Sequence, residues 1–138
     1  MTTKKPVKKV FTLADFMTKD LNETATKMPL LFDGVDTGCF LMVRGIESKP
    51  VQRARIEAQV AYADMAEDAE KITDKTDRSE FGRDKKEQIE ICLAVALVTG
   101  WSFGDFNKDK LQDLLFQNQG LAFTVIAHST NAGNYLKK

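Results

Sequence analysis

The segment Ile89–Ser102, with the sequence IEICLAVALVTGWS, decides the fold of this 138-residue chain. Its apolar residues recur at spacings of three and four, as they do along one face of an α-helix: Ile89, Leu93, Ala96, Leu97 and Gly100. After Glu90 the segment is apolar on nearly every side, which predicts a helix in the middle of the protein. Gly100 is expected to end this helix, and Trp101, the only tryptophan, is expected to anchor the turn that follows.

A long helix is predicted before this segment. Ser48 is expected to open it, with Pro50 in the first turn, where a missing N–H donor costs nothing. An alanine-rich apolar stripe follows and predicts close packing against another helix: Val51, Ala54, Ala58, Ala61, Tyr62, Met65, Ala69 and Ile72. The polar residues 71–80 are interpreted as a connection, with Ser79 as the cap of the next helix and its start near Glu80.

Two shorter helices are predicted after the Trp101 turn. Asn107 or Asp105 is suited to cap the first of them, whose apolar residues are Leu111, Leu114, Leu115 and Phe116. Gly120 is expected to separate it from a last helix, whose apolar side consists of Leu121, Val125, Ala132 and Leu136.

The first third of the chain predicts a β-hairpin. Two short apolar runs, Leu30–Phe32 and Cys39–Val43, flank the turn-forming residues Asp33–Gly38. A helix is expected to start at Thr12 and to stop before Pro29. The predicted fold class is therefore α+β, mainly α, with a small N-terminal hairpin near residues 30–45 packed on four to five helices. Residues 1–10 are expected to form a flexible basic tail and residues 11–138 a single globular domain.

Composition argues against nucleic-acid binding and against a membrane-spanning segment. Twenty basic and twenty acidic residues leave no net charge, whereas a dedicated nucleic-acid binder is usually basic. The longest uncharged run, residues 91–103, is too short to span a membrane, and no secretory signal is recognisable. We therefore expect a soluble cytoplasmic protein. Cys39 and Cys92 are interpreted as two buried reduced thiols, with a disulfide as the alternative.

Candidate catalytic and metal sites are weak. Residues 105–109 resemble the start of a calcium loop, but Lys110 replaces the required Gly and Phe116 the required bidentate Glu. His128, the only histidine, has no metal-ligand neighbours at a suitable spacing, and Gly-x-Ser-x-Gly and phosphate-loop motifs are absent. We therefore predict no cofactor, no metal and no catalysis, and we interpret His128 as structural.

Charge clusters suggest two further surfaces. An acidic group occupies the second half of the long helix and consists of Asp64, Glu67, Asp68 and Glu70. It is either a solvated face or a docking surface for a basic partner. The lysines at positions 4, 5, 8 and 9 have the same two interpretations.

The order of these motifs resembles the tail assembly chaperones of long-tailed, siphovirus-like bacteriophages. The likeness covers residues 30–135. It rests on Phe32-Asp33-Gly34, on the strand from Phe40 to Gly45 followed by Ser48, on Gly100-Trp101-Ser102 after an apolar helix, and on Phe106 to Leu111 with Leu114-Leu115. The chain departs from many such proteins in having Phe103-Gly104-Asp105 in the turn.

The resemblance implies a viral protein that is not an enzyme. Such chaperones hold the tape-measure protein, a long helical chain, while tail-tube subunits polymerise around it, and they are absent from the finished particle. Expected partners are therefore the tape-measure protein and the tail tube protein, in the host cytoplasm, with no nucleic acid and no membrane; a homo-oligomer and a longer frameshifted product are left open. An apolar groove receiving an amphipathic helix suits this role.

The residues proposed for partner binding are Trp101, Phe103, Phe106, Asp64, Glu67 and Asp68. The alternative for Trp101 and Phe106 is that both are core residues. A second function hypothesis is a structural virion component, such as a tail-completion or connector protein that stays in the particle. A third is a small enzyme that depends on His128.

Overall fold

The computed structural model describes residues 12–13 and 23–135. Within this part of the chain lie three strands, β1 (Thr26–Phe32), β2 (Val35–Val43) and β3 (Val98–Trp101), and four helices, α1 (Gln52–Glu70), α2 (Lys75–Leu97), α3 (Lys108–Gln117) and α4 (Leu121–Thr130). The predicted α+β, mainly α class is confirmed, with four helices. The predicted basic tail, residues 1–10, and residues 14–22 of the predicted N-terminal helix lie outside the described residues. The predicted end of that helix, just before Pro29, was wrong, because residues 26–28 already pair with β2 as part of β1.

The hairpin is longer and its loop shorter than predicted. Asp33 and Gly34 alone connect β1 to β2, with φ angles of 47° and 80°. Positive φ at both central residues is the requirement of a type I′ turn, for which Asp-Gly is a preferred pair. The prediction of a six-residue loop over Asp33–Gly38 was therefore wrong. Its first two residues, Asp33-Gly34, are enough to form the turn.

The remaining residues of the expected loop form an irregularity inside β2. The register passes from Pro29 opposite Phe40 to Leu31 opposite Asp36, so that β2 has extra residues at this point. The Asp36 carboxylate accepts a 2.8 Å hydrogen bond from the N–H of Gly38, whose φ is 78°. Pro29 is tolerated because β1 is an edge strand.

The central helix starts earlier than predicted. Asp74, not Ser79, caps α2, and its side chain accepts a 2.9 Å hydrogen bond from the N–H of Asp77. The connection between α1 and α2 is therefore only residues 71–74. At the start of α1, Ser48 precedes a short 3-10 turn, Lys49–Val51, with Pro50 in it as expected, but the Ser48 hydroxyl makes no capping bond.

The central helix also ends earlier than predicted, and a strand follows at once. α2 stops at Leu97, and β3 pairs antiparallel with β2, with Met42 opposite Gly100 and Leu41 opposite Trp101. The N–H of Arg44 donates a 2.9 Å hydrogen bond to the carbonyl of Leu97, which the helix leaves unpaired at its end. Gly100 thus lies in a strand and does not end the helix.

The first of the two short helices agrees with the sequence, but the last one is shorter than predicted. The Asn107 side chain caps α3 by accepting from the N–H groups of Asp109 and Lys110, and Gly120, with φ of 84°, separates α3 from α4. α4 ends at Thr130, and a 3-10 turn follows at Ala132–Asn134. Ala132, expected on the apolar side of this helix, therefore lies after its end, and Leu136 lies outside the described residues. Among the described residues, none of the helices is both long enough and apolar enough to cross a lipid bilayer.

The core lies between the sheet and α2, α3 and α4. As predicted, the second half of α2 is in the middle of the protein. The buried apolar residues are Met28, Leu41, Val43, Val51, Ile91, Ala94, Leu97, Val98, Leu111, Leu115, Ala122 and Val125. By contrast, no α1 side chain is fully buried within Gln52–Glu70, since α1 packs mainly on α2.

Candidate functional site

Three aromatic side chains predicted to bind a partner form one cluster. The Trp101 ring packs edge-on against Phe103, with centroids 5.6 Å apart, and against Phe106, at 5.2 Å. The indole N–H of Trp101 donates a 3.3 Å hydrogen bond to the carbonyl of Asp105. The turn after β3 is thus folded around the tryptophan, as the sequence suggested, although Trp101 itself lies in a strand.

The cluster has one exposed and two partly buried members. Trp101 and Phe106 are half-buried and pack against the core, whereas Phe103 is 50% exposed. One side of Trp101 therefore supports the core, whereas its role in partner binding stays a prediction. The other side borders a shallow depression of about 360 Å³, lined by Trp101, Phe103, Asp105, Lys110 and Leu114.

A second candidate site is a groove of about 480 Å³ between α1 and α2. Small and apolar side chains line much of it: Ala54, Ala58, Ala61, Met65, Ile89 and Leu93. The α1 alanines thus lie on the side of α1 that faces α2, as the sequence suggested. The groove itself was not predicted, because it depends on how α1 and α2 are placed relative to each other.

The predicted acidic residues divide between two faces of α1. Asp64 and Asp68 line the groove together with Glu57, and Lys85 and Gln88 border it from α2. Glu67 does not line the groove and is exposed. The Asp68 carboxylate lies 3.7 Å from the Lys71 ammonium, and both side chains are mostly exposed. The groove therefore has an apolar floor and a mainly acidic rim.

The two cysteines are free. Cys39 is half-buried, but Cys92 is exposed and lines the groove beside Leu93. The prediction of two buried thiols was wrong for Cys92, because the side of α2 that it occupies faces the groove rather than the core.

His128 joins α4 to the start of the sheet. Its Nε2 is 2.7 Å from the hydroxyl oxygen of Thr26, 102 residues earlier, and its ring packs edge-on against Tyr135. Burial lowers the pKa of His128 below its ordinary value. Burial also raises the pKa of Tyr135, against the opposing effect of a hydrogen bond with Thr26. These contacts are those of a histidine that holds two elements together.

The calcium-like segment is used for helix capping. The Asn107 side-chain oxygen, which would be a ligand in such a loop, accepts from two backbone N–H groups of α3 at 2.9 and 3.1 Å. Across residues 12–13 and 23–135, no group of three or more His, Cys, Asp or Glu side chains is placed to hold a metal ion.

Large apolar side chains are also exposed elsewhere, at Leu13 and at three places in the folded elements. The hairpin end presents Leu31, Phe32 and Val35, α1 presents Ile56 and Val60, and Phe116 and Phe123 lie beside the turn between α3 and α4. Phe116 was predicted to belong to the apolar face of α3, but it is 68% exposed, because Leu111 and Leu115 form the buried side.

Comparisons of the chain with protein-family models, with curated proteins and with solved structures found no match.

Proposed function

We propose that this protein is a tail assembly chaperone of a long-tailed bacteriophage. It would hold the tape-measure protein in the host cytoplasm while tail-tube subunits assemble, without catalysis, and would be absent from the mature particle. The groove between α1 and α2 is the observation that carries the proposal. The sequence resemblance supplies the identity of the partner.

The groove suits a helical ligand. Its floor of alanines, Met65, Ile89 and Leu93 offers apolar surface without bulky obstruction along α1. An amphipathic helix binds such a groove through its apolar face, with anchors spaced three and four residues apart. A tape-measure chain is long and helical, so it contains many such segments.

The charges at the rim favour one kind of helix. The carboxylates of Glu57, Asp64 and Asp68 face the groove from α1, whereas Lys85 is the basic side chain that lines it. Lysine or arginine residues flanking the apolar face of a ligand would meet this rim. Such exposed charges contribute more to association rate and specificity than to affinity.

The Trp101 depression supports a second contact. Phe103 is half exposed at its edge, and aromatic residues of this kind are frequent in protein interfaces. Groove and depression share no lining residue, so a long partner could engage both at once. This arrangement suits a chaperone that holds an extended chain.

The test is co-expression of this protein with the tape-measure protein of the same phage. We expect the soluble fraction of the tape-measure protein to rise. Ala61→Arg, which fills the groove, should abolish that gain, and Asp68→Lys should reduce it. Glu70→Lys reverses a charge on the same helix but outside the groove, so it should keep the gain. Unchanged solubility with the wild-type chain would refute the proposal.

Mass spectrometry of purified particles separates the chaperone from a structural virion component. A chaperone should be absent, or present only in traces, although it is abundant in the infected cell. Stoichiometric copies in mature particles would favour the tail-completion or connector alternative.

A further inference from the structure

The outward face of α1 carries a stripe that the fold leaves uncovered. Arg53, Ile56, Val60, Ala63 and Glu67 follow one another at spacings of three, four, three and four residues. This is the spacing of the contact positions in a coiled coil. All five side chains are exposed, and Ile56 and Val60 remain 60% and 56% accessible to solvent.

The stripe points away from the alanines of the groove but adjoins its acidic rim, since Arg53 and Asp64 are eleven residues, or about 20° of rotation, apart. Ala58, which lines the groove, is two residues from Val60, and residues in a helix are about 100° apart, so the two directions differ by roughly 200°. The side of α1 that packs on α2 is therefore opposite the stripe. A helix 19 residues long with apolar residues on both sides is suited to a partner on each.

The charges of the stripe are complementary to a reversed copy of itself. Arg53 stands at one end and Glu67 at the other, and Val60 is at the midpoint between them. In an antiparallel pair, each Arg53 meets the Glu67 of the second copy, and the apolar residues meet in the middle. The carboxylates of Glu57 and Asp64, which flank the stripe, also come near each other across the pair and oppose part of this attraction. A parallel pair would instead place like charges together. We propose that α1 forms a two-fold symmetric antiparallel dimer with a second copy of this chain, centred on Val60.

The contact of Arg53 within its own helix does not oppose this pairing. Its Nε lies 3.0 Å from the Glu57 carboxylate, and the side chains are 90% and 65% exposed. Exposed pairs of this kind contribute little to stability. Arg53 can therefore exchange Glu57 for a carboxylate of the second copy, or contact both.

One helix from each copy makes a small interface. α1 is about 28 Å long, and interfaces at the low end of the size range, below about 1,200 Å², are typical of weak association. We therefore expect a dissociation constant on the order of tens of micromolar. The inference does not depend on the proposed function, because none of the five stripe residues lines the groove.

The test is sedimentation of the full-length protein over a concentration series up to about ten times the expected dissociation constant of tens of micromolar. The wild-type chain should shift from monomer to dimer. Val60→Glu places two carboxylates at the symmetry axis and should abolish the dimer. Arg53→Glu and Glu67→Arg should each weaken it about tenfold, and the double variant should restore it, because the reversed charges are again opposite each other.

Arg83→Glu is the matched control, since Arg83 is another mostly exposed arginine beside a carboxylate, that of Asp84. It should leave the dimer unchanged. Circular dichroism should show the same helix content in every variant. A wild-type chain that stays monomeric, a dimer insensitive to Val60→Glu, or a double variant no better than the single ones would overturn the inference.

Discussion

The hydroxyl of Tyr135 donates a 2.9 Å hydrogen bond to the backbone carbonyl of Val43, 92 residues earlier in the chain. Both residues are buried, and Val43 lies at the end of β2, where that strand pairs with both β1 and β3. The chain after α4 is thereby attached to the middle of the sheet. The ring of His128 packs against the same tyrosine, so the attachment has two components.

Removing the Tyr135 hydroxyl should destabilise the protein. Tyr135→Phe leaves a buried carbonyl without this donor, which costs about 1–3 kcal/mol in the free energy of unfolding. Urea denaturation measured by circular dichroism will show the loss. Tyr62→Phe is the control, because Tyr62 is partly exposed on α1, and its effect should stay within about 0.5 kcal/mol. Equal stability of wild type and Tyr135→Phe would show that the bond contributes nothing.

The start of α2 can be tested by removing each candidate cap. Asp74→Ala should reduce the free energy of unfolding by about 0.5–2 kcal/mol, because the N–H of Asp77 loses its acceptor. Ser79→Ala should be neutral or slightly stabilising, since position 79 lies inside the helix, where alanine is preferred. Thermal melting of the two variants under the same conditions distinguishes them. The opposite order would place the helix start near Glu80.

The single histidine predicts a pH dependence of stability. Burial lowers the pKa of His128 in the folded state below the ordinary value of 6.5. At pH values between this lowered pKa and 6.5, the unfolded chain therefore binds more protons than the folded protein. The contribution of His128 to stability is thus complete above pH 6.5 and is lost as pH falls towards its lowered pKa.

Proton NMR of the imidazole during titration will check this directly, because there is only one histidine in the chain. The stability of His128→Gln should also depend less steeply on pH below 6.5 than that of wild type. A measured pKa at or above 6.5 would contradict burial as the dominant effect.

The aromatic cluster predicts a graded response to truncation. Trp101→Ala removes contacts with Phe103, Phe106 and the core, and should cost roughly 2–3 kcal/mol, somewhat less than the 3–5 typical of a fully buried ring. Phe103→Ala should cost less than about 1 kcal/mol, because half of that side chain is exposed. Guanidinium denaturation of both variants provides the comparison. A larger loss for Phe103→Ala would mean that it, rather than Trp101, organises the turn.

Local sequence patterns predicted the fold class, the hairpin and four of the helices, but they missed β3. Residues 98–101 continue the apolar spacing of α2, so periodicity alone extends the helix to Gly100. Val98, Thr99 and Trp101 favour strands, yet a strand forms there only because β2, more than fifty residues earlier, presents a free edge. A contact so distant in sequence leaves no periodic signal.

The candidate sites were predictable to different degrees. The Trp101 cluster could be inferred because its members are only five residues apart, within one turn. The groove could not be inferred, because its shape depends on how α1 is placed against α2. The alanine stripe indicates that the two helices pack together but does not define their relative position. The sequence shows the acidic residues only as one charged group. The structure shows that Asp64 and Asp68 line the groove and that Glu67 does not.

Because α2 passes into β3 with no loop residue between them, one unbroken segment of chain extends from the groove to the indole ring. No loop residues lie between α2 and β3 that would absorb a small axial shift of the helix, so such a shift is passed on to Trp101. On the proposed function, the only tryptophan is thus expected to report by its fluorescence on binding in a groove that it does not line. We expect its emission to change when a ligand enters or leaves the groove, so that no attached dye is needed.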